Sequence, residues 1–154
     1  FRRVLFRSDP AAGETGRLPL VCRLVDKAYA AGQPTLVLGD DRRELVQLDE
    51  LLWTALDGSF IPHELLQEGT DGAGAEAPIL LASHAPAAAP RALLINLCAA
   101  VPPIAAEFQR VIEVPATDPA GREQGRDRFR AWRRLGAEPA THQLGGQTRA
   151  ARPV

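Results

Sequence analysis

The chain has 154 residues, enough for one domain that buries roughly 70% of the surface its unfolded form exposes. A formal net charge of -1 excludes a protein that coats nucleic acid over its whole surface, but leaves room for a local basic patch. No apolar run reaches the roughly 18 residues of a membrane-spanning helix, and no signal-peptide core precedes a small-residue cleavage site, so neither membrane insertion nor secretion is expected.

All basic residues but Lys27 are arginine, a bias that genome composition alone can produce. Cys22 and Cys98 each fall inside an apolar segment, which predicts buried reduced thiols and a cytoplasmic compartment.

In chain order, Val4-Leu5-Phe6 suggests a first strand. After a turn-rich connection, Leu18, Val21, Leu24, Val25 and Ala28 form a helical stripe that stops at Gly32. Residues 34–39 (PTLVLG) are a short apolar run bounded by Pro and Gly, the pattern of a strand buried on both faces of a parallel sheet. Further runs at 79–82, 93–97 and 111–114 alternate with helical segments at 104–109 and 118–135. This alternation predicts an α/β layered sheet, with loops at 67–77 and 83–90. From Ala137 the composition turns to Gly, Pro, Thr and Arg, so residues 137–154 are expected to be a disordered tail.

The most informative stretch is 48–69, LDELLWTALDGSFIPHELLQEG. Leu45, Leu48, Leu52 and Leu56 share one side of a helical wheel, with Asp41 as N-cap and Glu44 completing a capping box. That helix should end near Asp57-Gly58. Pro62 keeps the next segment extended, leaving Phe60 and Ile61 in a loop where apolar side chains need a partner. His63 can cap a helix starting at Glu64 or hydrogen-bond a loop carbonyl.

The run LDE-LLW followed by SFIPHELLQEG resembles the chi subunit of bacterial DNA polymerase III, whose family shows LDxxLW followed by SFxPHxLxxEG at this spacing. A second segment, residues 126–136 (RDRFRAWRRLG), falls where that family has a basic-aromatic helix. The resemblance extends from about Leu18 to Gly136. It implies a single three-layer Rossmann-like domain with a mostly parallel central sheet over residues 1–136. It further implies a non-catalytic clamp-loader accessory protein that links the polymerase to single-stranded-DNA-binding protein and meets DNA only indirectly. Residues 1–8 lack the family's FYxL-type opening and read as a truncated or foreign start.

Enzyme readings find no support in the residues. Ala12-Gly-Glu-Thr-Gly16 and Gly72-Ala-Gly74 lack the lysine and helix entry of a phosphate loop, and Gly39-Asp40-Asp41 puts negative charge where a pyrophosphate would sit. His63, His84 and His142 have no ligand-spaced neighbours, and neither Ser59 nor Ser83 lies in a nucleophile elbow. No catalytic residue, metal or cofactor is therefore expected.

Two interaction surfaces remain. On a helical wheel Arg122, Arg126, Arg130 and Arg133 fall within about 80°, with Phe129 beside them and Trp132 and Leu135 pointing away. A solvated face is the plain reading. An aromatic ring beside clustered guanidinium groups also suits an acidic peptide ending in an apolar residue and a carboxylate. The resemblance assigns the tail of single-stranded-DNA-binding protein to Arg126, Arg130 and Arg133, with Phe129 as the apolar pocket and Val114 and Pro115 as its wall. On the other surface Phe60, supported by Trp53 and flanked by Ile61 and Pro62, is expected to meet the psi subunit or another clamp-loader component. The alternative is a direct nucleic-acid-binding α/β domain, which would need several stacking aromatics along a basic groove where only Phe129 stands. A nucleotide-dependent enzyme ranks third.

Overall fold

The computed structural model describes residues 3–10, 12, 15–54, 60–72, 75–86, 91–143 and 148–149. In chain order the elements are β1 (Arg3–Ser8), α1 (Leu18–Ala30), β2 (Thr35–Leu38), α2 (Arg42–Thr54), β3 (His63–Leu65) and β4 (Ile79–Ala82). There follow β5 (Leu93–Asn96), a 3-10 helix (Pro103–Glu107), β6 (Arg110–Glu113), α3 (Pro119–Arg134), β7 (Ala140–Gln143) and β8 (Thr148–Arg149). The strands form one sheet in the order β3-β4-β2-β5-β6-β1-β7-β8. All neighbours pair in parallel except β7 with β8 at one edge. This is an α/β Rossmann-like arrangement in three layers.

The short apolar runs become central strands because both their faces are covered. Successive side chains of a strand point to opposite faces. Val37, Ile79, Leu81, Leu93 and Ile95 therefore pack on Val21, Leu24 and Val25 of α1 and on Leu45, Leu48 and Leu52 of α2. Leu36, Leu38, Leu80 and Leu94 face the other way, toward Ala105, Phe108 and Trp132. Helix α1 stops at Ala30 and turns at Gly32, whose φ of 70° suits glycine, with Gly32 N–H donating to Tyr29 O and Gln33 N–H to Ala28 O.

At the start of α2 the Asp41 carboxylate accepts from Arg43 N–H as an N-cap. The capping box is not completed. Glu44 is held instead by both forks of Arg17, at 2.8 and 3.0 Å, and a bidentate charged pair outweighs a single bond to one backbone donor. The helix ends at Thr54, and Leu56, Asp57 and Gly58 lie outside the described residues.

Three strands depart from the sequence reading. No helix begins at Glu64; residues 63–65 pair with β4 as a short edge strand. Nor is the segment after Ala137 structureless throughout, since Ala140–Gln143 lies parallel to β1 and Thr148–Arg149 pairs back on it. These strands are held by backbone bonding rather than an apolar stripe, and polar side chains are usual on such edges.

Chain order sets where a crevice opens. From β1 the chain passes through α1 to β2 on one side, whereas from β6 it passes through α3 to β7 on the other. Where the connections from two neighbouring strands, here β1 and β6, leave in opposite directions, a parallel sheet leaves a gap at its carboxyl edge.

Candidate functional site

Helix α3 borders that crevice. It begins with Asp118, whose carboxylate accepts from Gly121 N–H at 3.0 Å, and Pro119 supplies the first helical φ. Gly125 then lets the helix lie against the β6–α3 connection: a Cβ built there would come within 2.8 Å of Pro115. The result is a cleft of about 730 Å³ whose lining includes Val114, Pro115, Arg122, Arg126 and Phe129. Arg126 is exposed and makes no hydrogen bond or ion pair among the described residues. Phe129 is half-buried, its ring 5.3 Å from that of Phe6. Val114 is fully buried, forming the floor of the cleft rather than an open wall. The Arg122 Nε donates to the Thr117 carbonyl.

Arg130 and Arg133 do not line the cleft. They share the wheel sector of Arg126, but at about 1.5 Å per residue they sit roughly 6 and 10 Å further along the axis. Arg130 pairs with Asp127 at 3.2 Å, and both side chains are open to solvent. Leu135, grouped with Trp132 in the sequence reading, is 63% exposed because it follows the last helical turn and sits at the C-cap.

Between β5, β6 and α3 is a buried polar cluster that sequence reasoning passed over. Glu113 Oε1 accepts from Arg128 Nε at 2.7 Å, Oε2 accepts from Trp132 Nε1 at 2.8 Å, and Asn96 Nδ2 donates to both oxygens. Arg128 also donates to the Ala99 carbonyl. Burial pushes the Glu113 carboxyl up from the usual range, against the opposing pull of Arg128 and of the Trp132, Arg128 and Asn96 donors. A signal existed: Gly121, Gly125, Arg128 and Trp132 share one wheel sector, and an arginine in that sector needs a carboxylate such as the one in the apolar run VIEV.

The second surface lies on α2 and the segment before β3. Trp53 and Phe60 are 54% and 63% exposed, with ring centroids 5.4 Å apart. Ile61 does not belong to this surface. It is 1% exposed and packed in the core with Leu45, Leu48 and Leu52, since successive side chains of an extended segment alternate in direction. Pro62 is half-buried. His63 takes the loop-carbonyl role, with Nδ1 2.7 Å from Ile61 O.

The two surfaces sit near opposite ends of the sheet. Trp53 and Phe60 lie by β3, the cleft by β1, and five strand spacings of about 4.8 Å separate them by roughly 24 Å. Among the described residues no three metal-ligating side chains cluster, and no helix is long and apolar enough to cross a membrane.

Comparison with known proteins places the chain in a family. A family model described as the DNA polymerase III chi subunit, HolC, matches residues 3–140. The chain is 37% identical over 142 residues to the DNA polymerase III subunit chi of Pseudomonas aeruginosa, covering 92% of this chain and 96% of that protein. The chi subunit of Escherichia coli K12 is 29% identical over 118 residues, covering 76% and 78%. That of Haemophilus influenzae is 27% identical over 127 residues, covering 82% and 86%.

Proposed function

The chain belongs to the DNA polymerase III chi subunit family, and from that premise we propose that it is a non-catalytic replication subunit joining the polymerase assembly to single-stranded-DNA-binding protein. In this reading the exposed Trp53–Phe60 pair docks the psi subunit or another clamp-loader component. The cleft beside α3 takes the acidic C-terminal tail of single-stranded-DNA-binding protein, and through it the subunit meets DNA indirectly, in the bacterial cytoplasm.

The observation that carries the proposal is the separation of the two surfaces across the sheet, since an adaptor must hold two partners without overlap. The cleft chemistry suits an acidic peptide. Arg126 has no intramolecular partner among the described residues to give up, and Phe129 and Pro115 offer apolar contact for a terminal side chain. A guanidinium fork binds a carboxylate through two parallel hydrogen bonds, whereas a single-strand-binding groove would need a row of stacking rings.

The test is a titration of the full chain with a fluorescent acidic peptide ending in an apolar residue, repeated with psi bound. Saturable binding that persists in the psi complex supports the adaptor. Competition between peptide and psi would remove it, and tight binding of single-stranded DNA by the isolated chain would favour a direct nucleic-acid-binding domain.

A further inference from the structure

Both nitrogens of the His63 ring face oxygen atoms, although its side chain is fully enclosed. Nδ1 lies 2.7 Å from the Ile61 carbonyl. Nε2 lies 3.0 Å from Asp49 Oδ1, close enough for charge attraction but not aligned as a hydrogen bond, with side-chain exposures of 0% and 29%. The ring also packs against Trp53, with centroids 4.6 Å apart, and Trp53 in turn touches Phe60. One imidazole thus contacts Trp53 directly and meets the neighbouring segments at Asp49 and Ile61. Asp49 sits one turn before Trp53 on α2, Ile61 follows Phe60, and the ring supports the indole directly.

A neutral imidazole has one N–H and one lone pair. In either tautomer a lone pair is turned toward an oxygen, the Ile61 carbonyl or the Asp49 carboxylate. Only the ring protonated on both nitrogens matches both. Among the described residues, Asp49 on α2 is the charged group within ion-pair distance of the ring; Trp53, Ile61 and the β4 neighbour Ile79 carry no charge, and Glu64 is exposed beside it on β3.

Resting on the platform reading above, we propose that His63 is a positioning residue whose protonation holds Trp53 and the Phe60 segment in docking geometry, so that capture of the polymerase-side partner is favoured by acid. The imidazolium is drawn to Asp49 and donates to Ile61 O, joining α2 to the platform segment. Loss of one proton removes one of these two contacts and frees the segment to move against α2.

Trp53 and Trp132 are the two tryptophans, and Trp132 is fully buried, so the acrylamide-accessible emission reports Trp53. Protonated imidazole quenches a contacting indole. Between about pH 6 and about pH 8 this emission should rise in the wild-type chain and stay level in His63→Gln. Over the same range affinity for the psi subunit should fall about tenfold in the wild type, as expected for one charged contact. The profile should be flat in His63→Gln and flattened in Asp49→Asn, a change at a part-exposed position that spares the fold. Phe60→Ala should keep the emission change while losing psi. A pH-independent wild type, or the same slope in His63→Gln, overturns the proposal and leaves the platform reading standing. Absence of psi binding at every pH overturns both.

Discussion

Glu113 and Arg128 meet at 2.7 Å with side chains 0% and 3% exposed, tying β6 to α3 through an ion pair that solvent does not reach. Arg126 and Phe129 flank Arg128 on the helix, so the pair that anchors α3 also sets where the cleft residues stand. Breaking one partner of a buried pair leaves the other charged without compensation, and that penalty exceeds what the intact pair contributes.

Arg128→Met should therefore cost about 3 to 5 kcal/mol, read by urea denaturation. Combining it with Glu113→Leu should recover much of the loss, because no buried charge is then orphaned. Recovery should stay incomplete, since Asn96 and Trp132 also donate to the lost carboxylate. A single variant within about 0.5 kcal/mol of wild type, the range of an ordinary surface change, would mean that Glu113 relaxes freely and that the pair does not place α3.

Gly125→Ala tests the close approach of α3 to its entry loop. The added methyl would lie 2.8 and 2.9 Å from Pro115 Cγ and Cβ, too near for a rigid ring to yield. Overpacking of this kind costs about 1 to 3 kcal/mol, against a gain of up to about 1 kcal/mol in helix propensity. The net expectation is a modest fall in melting temperature, with a larger fall in peptide affinity as α3 shifts off Pro115. A more stable variant with unchanged peptide affinity would mean that the cleft does not depend on this contact.

Among the arginines, cleft position rather than wheel sector should decide effect. Arg126→Ala should weaken an acidic tail peptide about tenfold, the loss of one charge-assisted hydrogen bond. Arg130→Ala should do less, because its side chain is 55% exposed and already paired with Asp127. Binding should also fall with added salt, which screens exposed charges over about 8 to 10 Å. Equal losses for the two variants in fluorescence anisotropy would move the peptide along the helix, away from the cleft.

The central sheet was legible because its strands are buried on both faces and so read as unbroken apolar runs, as at residues 79–82 and 35–38. The short strands toward the two ends of the sheet, β3, β7 and β8, were not, since their positions follow from a neighbour's free backbone and leave no periodicity of their own. The same limit applied to polar pairs. Arg17 with Glu44 and Arg128 with Glu113 join residues 27 and 15 apart, and short-range rules such as the capping box cannot see such partners. At the cleft, side-chain types and helix face were readable from spacing, but the axial position of the crevice along α3 follows from the sheet's connectivity.

The two thiols give an alkaline signature. Burial raises Cys22 to about 11, and burial, with the Asp40 charge and hydrogen bond next in weight, raises Cys98 to about 12. The unfolded thiols ionise near 9.0. Folded pKa values above the unfolded value mean that stability is fully present below about pH 9 and lost as pH rises toward the folded values, by up to about 1.4 kcal/mol per pH unit per thiol. Denaturation series across this range should show that decline, reduced in Cys98→Ala. Rapid reaction of both thiols with an aromatic disulfide reagent near neutral pH would contradict their burial.

Phe60 and Ile61 are neighbours in sequence with opposite exposure, 63% and 1%, and their alanine variants should separate cleanly. Ile61→Ala removes core volume among Leu45, Leu48 and Leu52 and should cost about 2 to 5 kcal/mol of folding stability. Phe60→Ala removes a largely exposed ring and its contact with Trp53, an aromatic pair worth about 0.5 to 1.5 kcal/mol, so its melting temperature should move little. As a docking anchor, however, Phe60 should cost more than about 2 kcal/mol of affinity for the polymerase-side partner when truncated. The acidic peptide should bind Phe60→Ala as it binds wild type, because the cleft lies roughly 24 Å away across the sheet. Calorimetry with each partner in turn reads both arms, and loss of peptide binding together with psi binding in Phe60→Ala would show that the two surfaces are not independent.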